Sequence, residues 1–563
     1  MKSETKRCQN CKKDFIIEPD DFGFYEMVKV PPPVWCPHCR LLRRMAWFGC
    51  RILYKRKCDF TGENIITFYH PDVHCKVYKQ DIWWSDKWDA KSYGRDYDFS
   101  RPFFDQYREL LEEVPRASLN TEYTSLSNSE YCNAASYLKN CYLCFSNVTG
   151  EDNAYTTFTL RLTNCLDVAY SVDSDLCYEI VDVGHCFQTF FSQDCHNCQN
   201  VYFSRDLVNC SNCFNCTSLR NKTYCIENVQ YKKEDYDKKI KEFNFGSIKN
   251  LEKIKEKAYN FSLKYPRRIL RGINNVNVRG EYIYNCRNAH DVYYVSDSEN
   301  IKHSQLFVKG GVKNSYDFTY FGSSSELMYE STWCGHSNNN VRFAVWNYRN
   351  HDTEYTFSCH GCEYIFGCVG LNKASYCIFN KQYTKEKYFS LVEKIKAQMN
   401  EMPFTDKRGL EHRYGGQIPA DLSPWAYNET KAYEFFPITK EEAIAKGFTW
   451  RDPDEREYLP ATIKLPDHIK DVTDDILKAI LKCDACGKNY QIIPKELTYL
   501  RRFNFPIPNH CPLCRDRARI KQLNPMQIYE RKCDKCRAKI ETSYAPGRPE
   551  IVYCESCYKK EVY

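Results

Sequence analysis

No run of the chain approaches the ~18 consecutive apolar residues that would cross a bilayer, and the start, Met1 to Cys8, lacks the apolar core of a secretory leader. Membrane insertion and export are therefore not expected, and a cytoplasmic setting is. Glycine and proline are scarce, at 22 and 23 of 563 residues, which excludes a collagen-like or low-complexity chain. Neither sign of charge dominates: 80 basic against 73 acidic side chains leave a net +7, which permits contact with nucleic acid but does not demand it. A cofactor-binding glycine motif is also missing.

What the chain has is cysteine, 33 in all, and aromatic side chains, 15% of residues with 44 tyrosines. In a reducing compartment paired cysteines are read as metal ligands before disulfides. The two ends are copies of each other. Cys8, Cys11, Cys36 and Cys39 fall on Cys483, Cys486, Cys511 and Cys514 at a constant offset of 475, with 24 residues between the pairs in both. Each Cys-x-x-Cys turn aims two thiolates at one ion, and a second turn across a folded loop completes the tetrahedron that zinc prefers. Cys36-Pro-His-Cys39 and Cys511-Pro-Leu-Cys514 lead into arginine-rich, helical stretches, as in treble-clef and zinc-ribbon folds. His38 is read as a loop residue rather than a ligand.

A second ribbon follows in each copy. Cys533, Cys536, Cys554 and Cys557 form a complete set at the C-terminus, whereas the matching N-terminal positions are Cys58, Thr61, Lys79 and Ile82. One ligand survives there, so that ribbon is expected to keep its shape by packing alone. Cys50, His70, His74 and Cys75 lie near Cys58 and could rebuild a site, although their spacing follows no zinc pattern. The expected cofactor is Zn2+, as three structural ions.

Between residues 118 and 230, and again between 273 and 382, short β-branched and aromatic clusters recur every ten to thirteen residues, separated by Asn, Ser, Asp and Gly. Regular short strands of this kind predict a solenoid, read as a right-handed parallel β-helix. Asn-Cys steps beginning at 140, 164, 197, 209, 212, 215 and 285 fit it, with asparagines in hydrogen-bonded ladders and cysteines in interior columns. The two stacks match at an offset of 152, and each ends in a Lys/Glu-rich helical stretch suited to capping it. Strand residues three apart should face opposite sides, so Cys195, Cys198, Cys210, Cys213 and Cys216 are expected as interior ladders rather than a metal site.

The fold class is thus mainly β: two short-strand lobes flanked by duplicated treble-clef or zinc-ribbon modules, with capping helices. The segments are 1–82, a tandem zinc module; 83–117, an aromatic linker and helix; 118–265 and 266–402, the solenoid lobes; 403–482, a linker with short helices; and 483–563, the second tandem module. The tryptophan-rich strip of residues 81–104 is expected to join the N-terminal ribbon to the first lobe, and Ile469–Ile480 to form an amphipathic helix.

The run Cys483 to Tyr563, with Trp83-Trp-Ser-Asp-Lys-Trp88 and Tyr93 to Pro102, resembles an uncharacterised family of cysteine-rich zinc-ribbon proteins from metagenomic bacterial and viral sequences, some labelled CoA-transferase-like. The resemblance covers most of the chain and implies a shared architecture without catalytic residues. Three functions are consistent with these features. One is a zinc-bearing scaffold that engages nucleic acid or a protein complex, with Arg40, Arg43, Arg44, Arg515, Arg517 and Arg519 meeting phosphates. Another is a carbohydrate-active enzyme, with Asp173, Asp175, Asp182 and Asp194 as candidate carboxylates. The last is a redox or metal-handling protein that uses the solenoid cysteines.

Overall fold

A computed structural model describes residues 2–306, 310–453 and 457–563. Chain contacts divide it into two compact units, residues 1–120 with 270–452 and residues 121–269 with 453–563. Each unit therefore combines one solenoid lobe with the tandem module from the opposite end of the chain.

The lobe of the second unit is a 13-stranded sheet, running from Leu126 to Gln230, and that of the first a 12-stranded sheet from Gly272 to Gln382. Strands pair in parallel with the coil above, and among the described residues only the last hairpin of each lobe is antiparallel, Ile226 facing Val229 and Ile378 facing Lys381. The coil is 12 residues in the lobe of the second unit, so Thr157 pairs with Phe145 on one side and Ala169 on the other. In the other lobe it stretches to 14, as between Glu299 and Lys313, and returns to 12 between His351 and Glu363.

The turning device is a three-residue period in the backbone. From Tyr137 through Asn140, Leu143 and Ser146 to Tyr224, every third residue has φ between 48° and 60°. Such left-handed residues bend an extended chain sharply, and Asn and Asp tolerate them best. Up to Leu219 the residue after each bend points inward. Residues three apart therefore line the same interior, contrary to the strand rule applied to the sequence. The buried cluster containing Cys165, Cys177, Cys186, Cys195, Cys198 and Cys210 consists wholly of positions separated by multiples of three. Cys and Ser share this interior with Val, Ile and Leu, and those with a donor serve the backbone: Cys186 Sγ donates to Gly184 O at 3.3 Å, and Ser192 Oγ to Phe190 O at 2.8 Å. The expected interior ladders are present, built on this period rather than on two.

Outside, the bends stack in register. Asn197, Asn209 and Asn221 form an amide ladder at 3.1 Å, and Asn277, Asn288, Asn300 and Asn314 form another at 3.0 Å. Aromatic bend residues pile face to face, as Phe191 on Phe203 at 4.7 Å and Tyr282 on Tyr294 at 4.5 Å. Helices close each stack: Lys233–Lys241 buries Tyr236 beside Tyr224, and Lys385–Glu401 buries Tyr388 beside Tyr376.

Two expectations change. The tryptophan strip packs on the lobe of its own unit, the second in sequence: Trp83 stacks 6.3 Å from Trp346, and Phe103 lies 5.2 Å from Tyr355. Ile469–Ile480 forms two short 3-10 turns, Ile469–Asp471 and Asp474–Leu477, because Ile469, Val472 and Ile476 are each drawn separately into the core of the second unit.

Candidate metal centres and their arginine clamps

All four ribbons share one knuckle. The residue after the second ligand position is left-handed in each: Lys12, Gly62, Gly487 and Arg537, with φ of 62°, 74°, 72° and 64°. Its N–H returns to the carbonyl of the first ligand residue, at 3.0 Å in Lys12 to Cys8 and 2.8 Å in Gly62 to Cys58. The hairpin thus presents two thiols from one turn. The third ligand residue caps a helix, Cys36 before Pro37–Met45, Cys511 before Pro512–Ile520 and Cys554 before Glu555–Val562. His38 lies in the first turn of its helix, not in a loop, with its ring edge against Phe436.

Among the described residues three groups bring ligand atoms within 4.8 Å of one another: Cys8/Cys11/Cys36/Cys39, Cys483/Cys486/Cys511/Cys514 and Cys533/Cys536/Cys554/Cys557. Sulfur pairs across the knuckles stand 3.7, 3.8 and 3.7 Å apart. A tetrahedral Zn–S bond of about 2.3 Å requires about 3.8 Å between sulfurs, so the donor set and its size fit zinc. Backbone donors prepare the thiolates. Cys36 N–H reaches Cys8 Sγ, Cys511 N–H reaches Cys483 Sγ and Cys554 N–H reaches Cys533 Sγ, each at 3.2 Å. The Ser556 hydroxyl and the Cys557 N–H hold Cys554 down to about 6, and burial of Cys483 is outweighed by surrounding N–H groups, which bring it to about 7. Four thiolates would close the coordination sphere of one ion, as in structural rather than catalytic sites.

The ribbon with one cysteine keeps the same fold. Lys79 N–H takes the place of the ligand N–H at 3.3 Å from Cys58 Sγ, while the Lys79 ammonium pairs with Glu63 at 3.2 Å. Of the nearby residues considered for rebuilding it, His70 Nδ1 accepts from Asp72 N–H, and Cys50 and Cys75 are buried.

The arginines after the knuckles are placed differently from the sequence reading. Arg40 and Arg44 grip Asp317 at 2.8 and 2.7 Å, and Arg43 holds Glu330 at 2.7 Å. In the other unit Arg515 and Arg519 grip Asp167, both at 2.6 Å. All five are buried, and of the six only Arg517 is exposed. The correspondence extends to the backbone, with Arg44 donating to His303 O and Arg519 to Tyr155 O. Although burial opposes ionisation, the two guanidiniums hold Asp317 at about 2. These arginines fasten each module to its lobe, so phosphate contact through them is not what the structure presents. Sequence reasoning missed Asp317 and Asp167, which sit at left-handed bends in unremarkable strand text. Of the candidate carboxylates, Asp173 pairs with Arg161 and Asp194 with Arg205.

No family model matches the chain, and no curated protein matches it. A solved structure of a presumed acetyltransferase from Desulfovibrio desulfuricans G20 aligns with 49% of this chain and 78% of its own, at 8% identity and a TM-score of 0.10, which carries no argument about fold or activity. The class defined by fold and sites is a mainly β solenoid protein with three four-cysteine clusters compatible with zinc.

Proposed function

We propose that the chain is a zinc-clamped scaffold that binds a macromolecule rather than transforming a small molecule. The observation that carries this reading is the repeated clamp. In both units a closed four-cysteine site orders a helix whose arginines lock onto a buried solenoid aspartate, Asp317 or Asp167. Metal in that position stabilises an architecture and leaves no coordination position for a substrate. The solenoid then offers long, rigid outer faces.

Nucleic acid is the proposed partner, held weakly and without sequence preference. The basic residues suited to it are those exposed on the zinc hairpins, Arg7, Lys12 and Lys13 at one end and Lys532, Arg537 and Lys539 at the other. Anisotropy of a labelled single strand, measured at low and physiological salt, tests this. A variant with Lys532, Arg537 and Lys539 changed to Glu should bind more weakly while retaining its zinc. No binding at low salt, or unchanged affinity in the variant, would remove nucleic acid from the reading.

A further inference from the structure

The chain crosses between the units three times, after residues 120, 269 and 452, and at the first two crossings the second ribbon of a unit holds the strand that leads out of it. In the second unit Val552–Tyr553 pairs in parallel with Arg267–Arg268, and Arg267 N–H donates to Ile551 O at 2.7 Å. Arg268 reaches Glu555 at 2.8 Å and Thr542 Oγ1 donates to Ile269 O at 3.0 Å; Ile269 is the last residue before the crossing. In the first unit Val77–Tyr78 pairs in the same way with Arg116–Ala117, and the chain crosses after Asn120. These first two crossings begin Pro-Arg, at Pro115-Arg116 and Pro266-Arg267, and both arginines are buried and donate to a carbonyl five residues back, Leu111 O and Ser262 O.

The two holds differ in what maintains the ribbon. Around Cys58 the work is done by packed side chains: Trp83 Nε1 donates to Pro115 O at 3.0 Å, Gln80 Nε2 to Leu119 O at 2.7 Å, and Ile82 and Trp83 are buried. The other ribbon has a thin core, in which Cys533, Ile540, Tyr544 and Val552 are the buried members. Its helix begins at the ligand Cys554 and carries Glu555, the partner of Arg268. Of its ligands, Cys536 is exposed and Cys554 and Cys557 are half-buried, whereas three of the four ligands in the Cys8 cluster are buried. A small module with so little apolar burial depends on its metal.

We infer that zinc at Cys533/Cys536/Cys554/Cys557 latches the crossing segment at residues 267–269, so that of the two crossings held by a second ribbon this one responds to zinc while the other is held without metal. This rests on the clusters holding zinc, which metal analysis establishes separately. Hydrogen exchange on the full chain tests the latch, comparing wild type, Cys557→Ser and protein partly stripped by a chelator. Loss of the third zinc should speed exchange in peptides covering 262–272 and 550–563 by at least about tenfold, and leave those covering 74–84 and 114–120 unchanged. Arg268→Ala, which touches no ligand, should loosen 267–269 while all three zincs remain. Protection of 267–269 that persists after demonstrated zinc loss, or equal loosening of both crossings, would overturn the latch. A wild-type cluster that binds no zinc would overturn the zinc reading and the latch with it.

Discussion

Asp317→Asn removes the charge that Arg40 and Arg44 share. The three side chains are 2%, 0% and 0% exposed, so the substitution leaves the Arg44 guanidinium buried without its paired carboxylate and Arg40 with only Glu330, 4.0 Å away, while preserving shape. Breaking a buried pair by removing one partner costs about 3–5 kcal/mol. At roughly 2–4 °C per kcal/mol for a domain of this size class, the melting temperature of the first unit should fall by roughly 6–20 °C. Differential scanning calorimetry reads the shift, and metal analysis should still find zinc in the Cys8 cluster, separating a lost clamp from a lost ion. The pH dependence has a definite sign. Asp317 sits at about 2 in the folded chain against an ordinary value of 3.8, so the unfolded chain binds the extra proton. Its stabilisation is fully present above about pH 4 and is lost as pH falls through 2; Asp317→Asn should flatten that part of the acid limb. A cost below about 1 kcal/mol, with the acid limb unchanged, would refute the clamp as a stabilising element.

Purified reduced protein should contain three zinc ions, two in Cys554→Ser and still three in Cys58→Ser; a wild type with four, falling to three on loss of Cys58, would show a rebuilt site in the N-terminal second ribbon. Because that ribbon retains the knuckle geometry, Thr61→Cys, Lys79→Cys and Ile82→Cys together should add one zinc, again by metal analysis. Asn209, with φ of 53° and ladder partners on both sides, should tolerate Gly far better than Val, with Val costing on the order of 1–3 kcal/mol in thermal unfolding.

Much of this was legible in the text of the chain. The ligand sets follow from Cys-x-x-Cys spacing repeated at two ends, because a knuckle is a local turn whose geometry depends on only a few consecutive residues. The solenoid follows from a recurrent coil length, and its ladders from Asn-Cys steps, because identical side chains one coil apart must stack. The three-residue period was written there too, in cysteines such as 195, 198, 210, 213 and 216, but it contradicts strand alternation and becomes sensible only once every third residue is seen to be left-handed. What tertiary structure alone decided is partnership. Nothing local says that the N-terminal module docks on the later lobe, or that Arg515 and Arg519 meet Asp167 more than three hundred residues away. An arginine beside a knuckle carries the same local signal whether it faces phosphate or a buried carboxylate; which it meets depends on the long-range packing that desolvates it, and that free energy belongs to the assembled unit rather than to any segment.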